Sequence, residues 1–240
     1  MVGIAIPGAA RDIRPAWLTS VLRFSGVIKR AMVTDCQTSE IGEGIGLVGQ
    51  LLRVQIDYDI TEPEAPTSVV AKLPSTNPQN DRYWGEPGRN AHEKEIGFYK
   101  HLAPDIDLRT PRCFFGAASW EDRRSTILLE DLSWARPSDQ LQGCSAADAE
   151  MIVRDWARFN VAFWDNERLR KIPNLAGFTA GFDNLQARFD NAWQGYVEDF
   201  GDELPAEILD IGAHVLGEGG KRIRTRLGQS PNTLCHGDFR

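Results

Sequence analysis

The chain has 240 residues, 42% hydrophobic and 25% charged, which describes an ordinary globular protein long enough for one large domain or two lobes. Its formal net charge of −7 argues against a broad basic nucleic-acid surface and leaves room only for a local anion pocket. The cysteines, Cys36, Cys113, Cys144 and Cys235, are scattered without a C-x-x-C pair, which speaks against a zinc cluster or disulfide framework and for reduced thiols.

From Met1 to Pro7 there is no basic leader region, and Arg11, Asp12 and Arg14 follow too soon for a secretion signal. No apolar run approaches the roughly 20 residues of a membrane helix. The expectation is a cytoplasmic chain without membrane or nucleic-acid partners. Residues 1–37 are expected to form a helical N-terminal extension.

From residue 38 the chain reads as strand-rich. Ile41-Gly42-Glu43-Gly44-Ile45-Gly46-Leu47-Val48-Gly49 holds a G-x-G-x-x-G spacing at Gly44, Gly46 and Gly49. A dinucleotide fold needs a helix to open at the third glycine, whereas a kinase glycine loop needs a second strand. Leu52, Val54, Ile56 and Tyr58 alternate with Arg53, Gln55 and Asp57, which is a strand period. A kinase loop or a plain glycine hairpin therefore remains open. Either way, missing side chains would let backbone N–H groups approach a phosphate.

A second strand is expected at Ser68–Leu73, with Lys72 as the single cation in Val69-Val70-Ala71-Lys72-Leu73. A lysine snorkelling from a strand edge is the bland alternative. The next helix, expected from about Asn90 to Leu102, carries Glu95, which could pair with Lys72 if the helix packs on the sheet. Glu93 is the neighbouring candidate. Pro111–Ala117 and Ser125–Leu129 are expected to complete an antiparallel sheet. Ile127-Leu128-Leu129-Glu130-Asp131-Leu132 then runs into two acids, readable as an adenine-binding hinge or as a solvated acidic turn.

Beyond residue 132 the chain reads as helical. Ser145 offers an N-cap, and Met151, Ile152, Trp156, Phe159 and Phe163 follow at helical spacing. Helices near Phe182–Phe200 and Pro205–Leu216 continue the pattern. The aromatic residues Trp156, Trp164, Phe182, Trp193, Tyr196 and Phe200 read as helix packing rather than as a cage for a quaternary amine. The last residues, Leu234-Cys235-His236-Gly237-Asp238-Phe239-Arg240, place a carboxylate on a loop where it could face a substrate hydroxyl. Taken alone, His-Gly-Asp equally suits a simple turn.

Glycine hairpin, strand lysine, helix glutamate, acidic hinge, helical lobe and His-Gly-Asp follow one another in the order a kinase fold requires. On Glu95-Ile96-Gly97-Phe98-Tyr99, Leu128-Leu129-Glu130-Asp131-Leu132 and Leu234–Arg240, the chain resembles the aminoglycoside phosphotransferase and choline kinase-like superfamily, including its ecdysteroid-kinase-like branch. The resemblance implies an α+β, protein kinase-like two-lobed fold. An antiparallel-sheet lobe would span residues 38–132, and a partial helical lobe residues 133–240.

It also implies ATP-dependent phosphorylation of a small-molecule hydroxyl. Gly44 and Gly46 would cover the phosphates, Lys72 would hold them and Glu95 would orient Lys72. Main chain of Glu130 and Leu132 would bind adenine, and Asp238 would orient the acceptor hydroxyl. Magnesium would be held by an Asn five residues after Asp238 and by a later Asp, both positions past Arg240. The expectation is then a weak or inactive kinase as written, with no metal ligand of its own and an incomplete reading of a longer gene. A non-catalytic, pseudokinase-like nucleotide-binding module and an inactive truncated product are the alternatives. Asn160 stands where relatives often carry a His, which bears on helix packing rather than on chemistry.

Overall fold

The alternation through Leu52, Val54 and Ile56 forms a strand in the computed structural model. The structure describes residues 3–41, 49–75, 86–136, 143–172, 175, 178–215 and 220–235, with backbone alone at 86–90, 178–186, 188, 190, 221 and 224. Strands β1 (Val33–Glu40), β2 (Gly49–Tyr58), β3 (Ser68–Pro74), β4 (Cys113–Ser119) and β5 (Arg124–Glu130) make one antiparallel sheet ordered β1-β2-β3-β5-β4. The helices are α1 (Pro15–Phe24), α2 (Glu86–His101), α3 (Ala146–Ala162), α4 (Glu167–Lys171), α5 (Phe178–Phe200), α6 (Ala206–His214) and α7 (Gly220–Gln229). The architecture is thus α+β. None of these helices is long and apolar enough to cross a membrane. Strand β1 escapes sequence reading because it is an edge strand of mostly polar residues with only Val33 buried.

The chain divides into two compact units, residues 1–151 and 152–239. The sequence-based division at 132/133 lies inside the first unit, and that at 37/38 inside β1.

In the first unit the sheet is strongly two-sided. Leu52, Val54 and Ile56 of β2 and Val69, Ala71 and Leu73 of β3 point to one face and are each at most 4% exposed. Helix α1 covers that face with Leu18, Val21 and Leu22, the i, i+3, i+4 stripe of an amphipathic helix. Pro15 at its first position pre-sets the helix, and Gly26, at φ +76°, turns the chain back after its end. The extension is tied down further along its length. Thr126 Oγ1 donates to the Pro7 carbonyl at 2.6 Å and Trp17 Nε1 to the Ala5 carbonyl at 2.8 Å. The Glu62 carboxylate accepts the N–H groups of Lys29, Arg30 and Ala31 at 2.8, 2.6 and 2.6 Å. Gly49 stands where a Cβ would lie 2.7 Å from the Leu73 carbonyl oxygen. The third glycine of the G-x-G-x-x-G spacing is therefore required by the close approach of β2 to β3.

In the second unit, Phe159 stacks on Trp156 and meets Phe163 edge-on, at centroid distances of 4.8 and 5.2 Å. Phe189, Trp193, Tyr196 and Phe200 form a ladder along α5 rather than a cage. Tyr196 and Phe200 remain 44% and 48% exposed, so they are less enclosed than core packing would make them. Helix α6 reaches α5 through Gly212, where an added Cβ would sit 1.9 Å from a Trp193 ring carbon. Gly212→Ala is expected to destabilise this unit by about 1–3 kcal/mol, the usual cost of overpacking. Chemical denaturation followed by circular dichroism would read it; an unchanged midpoint would show that the two helices separate freely.

Candidate functional site

Because side chains alternate along a strand, Lys72 points away from the face that α1 covers. Directly paired residues share a face. Leu51 stands opposite Lys72, while Val70 is flanked by Arg53 on β2 and Leu129 on β5. Leu51 is exposed, and Val70 and Leu129 are half-buried. Leu51, Val70 and Leu129 make an apolar floor between Lys72 and Arg53.

Helix α2 lies over the same face toward β4 and β5. His92 is buried, with Nδ1 3.3 Å from the buried Ser125 Oγ, and a Cβ on Gly116 would meet Ile96 at 3.5 Å. This seating brings Glu95 to Lys72, whose Nζ donates to Glu95 Oε2 at 2.5 Å. Their side chains are 29% and 28% exposed, so the pair is open to a ligand. Behind it the wall is neutral. Burial pushes the Cys113 thiol up to about 11, with the Glu95 carboxylate adding to the shift despite the hydrogen bond to Phe115. Burial, and then Glu95, likewise raise the Tyr99 phenol. The floor carries charge as the Lys72–Glu95 pair and, beside Val70, as the Arg53–Asp131 pair.

At the end of β5, the Glu130 N–H donates to the Arg112 carbonyl at 2.8 Å, and the Leu132 carbonyl accepts from the Ala135 N–H at 2.8 Å. The two acids after Leu129 are not a solvated turn. Glu130 Oε1 receives Arg109 Nη2 at 2.5 Å and Oε2 receives the Arg112 N–H at 3.0 Å. Asp131 Oδ2 receives Arg53 Nε at 2.8 Å and Ser68 Oγ at 2.6 Å, and Oδ1 receives the Ser133 N–H at 3.0 Å. Its side chain is 6% exposed. Sequence reasoning missed these anchors because Arg53 and Ser68 lie 78 and 63 residues away.

Burial by itself would raise the Asp131 carboxyl, but the hydrogen bonds from Ser68, Arg53 and Ser133 outweigh it and hold the group below its ordinary value. Glu130 is lowered in the same sense, its burial outweighed by Arg109 and the Arg112 N–H. Both carboxyls bind protons less readily folded than unfolded. Their stabilisation is therefore complete above the unfolded values, about 3.9 for Asp and 4.3 for Glu, and is lost as pH falls through the lower folded ones. Between about pH 5 and 2 the melting temperature of the native chain should fall more steeply than that of Asp131→Asn. Parallel pH profiles would remove Asp131 from the account.

Gly44, Gly46 and Asp238, with His236, lie outside the described residues. The segment that leads to His236 and Asp238 is anchored in the second unit. The Asp165 N–H donates to the Asn232 carbonyl at 2.7 Å, the Asn232 N–H to Asp165 Oδ1 at 2.9 Å, and Thr233 Oγ1 to the Asn160 carbonyl at 2.7 Å. Asp165 adopts φ +46°, a left-handed turn that Asp tolerates better than most residues. Asn160 Oδ1 is buried without a hydrogen-bond partner among the described residues. Nothing in the spacing of Asn160, Asp165 and Asn232 announces this clasp.

Among the described residues no group of three or more His, Cys, Asp or Glu could hold a metal ion. Comparisons with protein-family models, with curated proteins and with solved structures found no match to this chain.

Proposed function

We propose that this chain is an ATP-dependent phosphotransferase acting on a small-molecule hydroxyl, of the aminoglycoside phosphotransferase and choline kinase-like kind. The observation that carries the reading is the 2.5 Å pair between Lys72 of β3 and Glu95 of α2, beside an apolar strip that ends at an anchored hinge. In this reading Leu51, Val70 and Leu129 take one face of the base. The Glu130 N–H and the Leu132 carbonyl are engaged within the protein, so base recognition falls to the Glu130 carbonyl and the Leu132 N–H. Lys72 contributes a fixed positive charge to the phosphates, and Glu95 holds it in place, so that little reorganisation is needed as charge develops. Asp238 would orient the acceptor hydroxyl. Magnesium, when bound with the nucleotide, would neutralise phosphate charge; the described residues present no cluster of three or more His, Cys, Asp or Glu for it.

The test is thermal unfolding with ATP. At about 100 times its dissociation constant a ligand adds about 2.7 kcal/mol, or about 5–10 °C at about 2–4 °C per kcal/mol. ADP release in the presence of a panel of amino-alcohols and aminoglycosides then reads turnover. Absence of any stabilisation at millimolar ATP would refute the reading.

A further inference from the structure

We infer that Asp131 is a positioning residue that sets the base-recognising main chain against the strand carrying Lys72, an inference that rests on the nucleotide reading above. Hinge residues that act through backbone groups need no particular side chain. Here the side chain is 6% exposed and saturated with donors from three places, β2 through Arg53, β3 through Ser68 and its own turn through Ser133. Arg53 faces Val70 across the β2–β3 pair, and Ser68 lies two residues before Val70 and four before Lys72 on β3. Ser68, Val70 and Lys72 therefore share one face, with the Asp131 carboxylate at one end and the lysine about 13 Å along, at about 3.3 Å per residue.

The geometry makes the strip a gauge with two ends. Lys72 fixes where phosphates sit. Asp131 fixes where the Glu130–Leu132 main chain sits relative to it, through one charge-assisted bond to Arg53 and one short hydroxyl bond to Ser68. A carboxylate suits this task because it can accept from both strands and from its own turn at once, whereas an amide offers only one acceptor oxygen. Loosening this end should weaken recognition of the nucleoside while sparing recognition of the polyphosphate.

The experiment is calorimetric titration of the full chain with two probes, adenosine and magnesium tripolyphosphate, comparing the native protein with Asp131→Asn, Ser68→Ala, Ser68→Thr and Lys72→Ala. Asp131→Asn and Ser68→Ala are expected to weaken adenosine about tenfold, the scale of one lost charge-assisted hydrogen bond. Tripolyphosphate should stay within about twofold, and Ser68→Thr, which keeps the hydroxyl, should restore adenosine binding. Lys72→Ala should show the reverse selectivity. Unchanged adenosine affinity in folded Ser68→Ala and Asp131→Asn would overturn the positioning role while leaving the nucleotide reading intact. So would equal losses for both probes, which would mark a general loosening of the lobe. If the native chain binds neither probe, the nucleotide reading fails and takes this inference with it. Ser68→Ala, the milder change, keeps the test decisive should Asp131→Asn not fold.

Discussion

Lys72→Ala should abolish most of the thermal stabilisation that ATP confers while leaving the unliganded melting temperature almost unchanged. The two halves of this expectation have different causes. Lys72 and Glu95 are 2.5 Å apart, but each side chain is nearly a third exposed, and ion pairs open to water contribute about 0–1 kcal/mol to stability. Removing the ammonium also frees Glu95 to be solvated rather than leaving a buried charge behind. A phosphate loses much more, since hydrogen bonds to charged groups are worth about 1.5–3 kcal/mol, about 10- to 150-fold in affinity. Glu95→Gln should produce a smaller loss, because the ammonium stays and only its orientation relaxes. Titration calorimetry with ATP checks both variants. Should Lys72→Ala bind ATP as the native chain does, Lys72 is a snorkelling surface lysine and the central observation loses its meaning.

Leu22→Ala should lower the stability of the first unit by about 3–5 kcal/mol, the range for truncating a fully buried leucine into a site that relaxes only partly. Leu22 is fully buried, as are Leu18 and Val21 beside it on α1, and their partners are the inward residues of β2 and β3. At about 1–3 kcal/mol per molar urea, the midpoint should fall by about 1–5 M. The same change ought to leave ATP affinity intact under conditions where the chain is folded, since Leu22 covers the face opposite Lys72. A loss below about 1 kcal/mol would mean that α1 is an appendage and that the sheet is stable without it.

The strand alternation, the lone lysine in an apolar strand and the helix glutamate were legible because each is a local pattern. Periodicity places Lys72 and Glu95 on known elements, and the geometry of a helix lying on a sheet limits which charges can meet. What periodicity does not carry is partnership across long sequence separations. It left Glu93 and Glu95 as rival partners, and the seating of His92 on Ser125 brings Glu95 to the lysine. The acids after Leu129 read equally well as a solvated turn, and Arg53 and Ser68 make Asp131 an anchor.

Strand β1 was illegible for a related reason. An edge strand with polar residues on both sides satisfies its backbone by pairing with β2 and needs no hydrophobic alternation of its own. The extension before it could be read as helical, but not as half of the core, because an amphipathic stripe says that a face is buried without saying against what. For this chain, then, the sequence alone determined strands β2 and β3, helix α2, the charged residues that could meet a phosphate and the order in which they occur. Tertiary structure decided which charges meet, which glycine serves the sheet and which carboxylate is anchored to β2 and β3. Those outcomes depend on distances between residues far apart in the chain, which only packing sets.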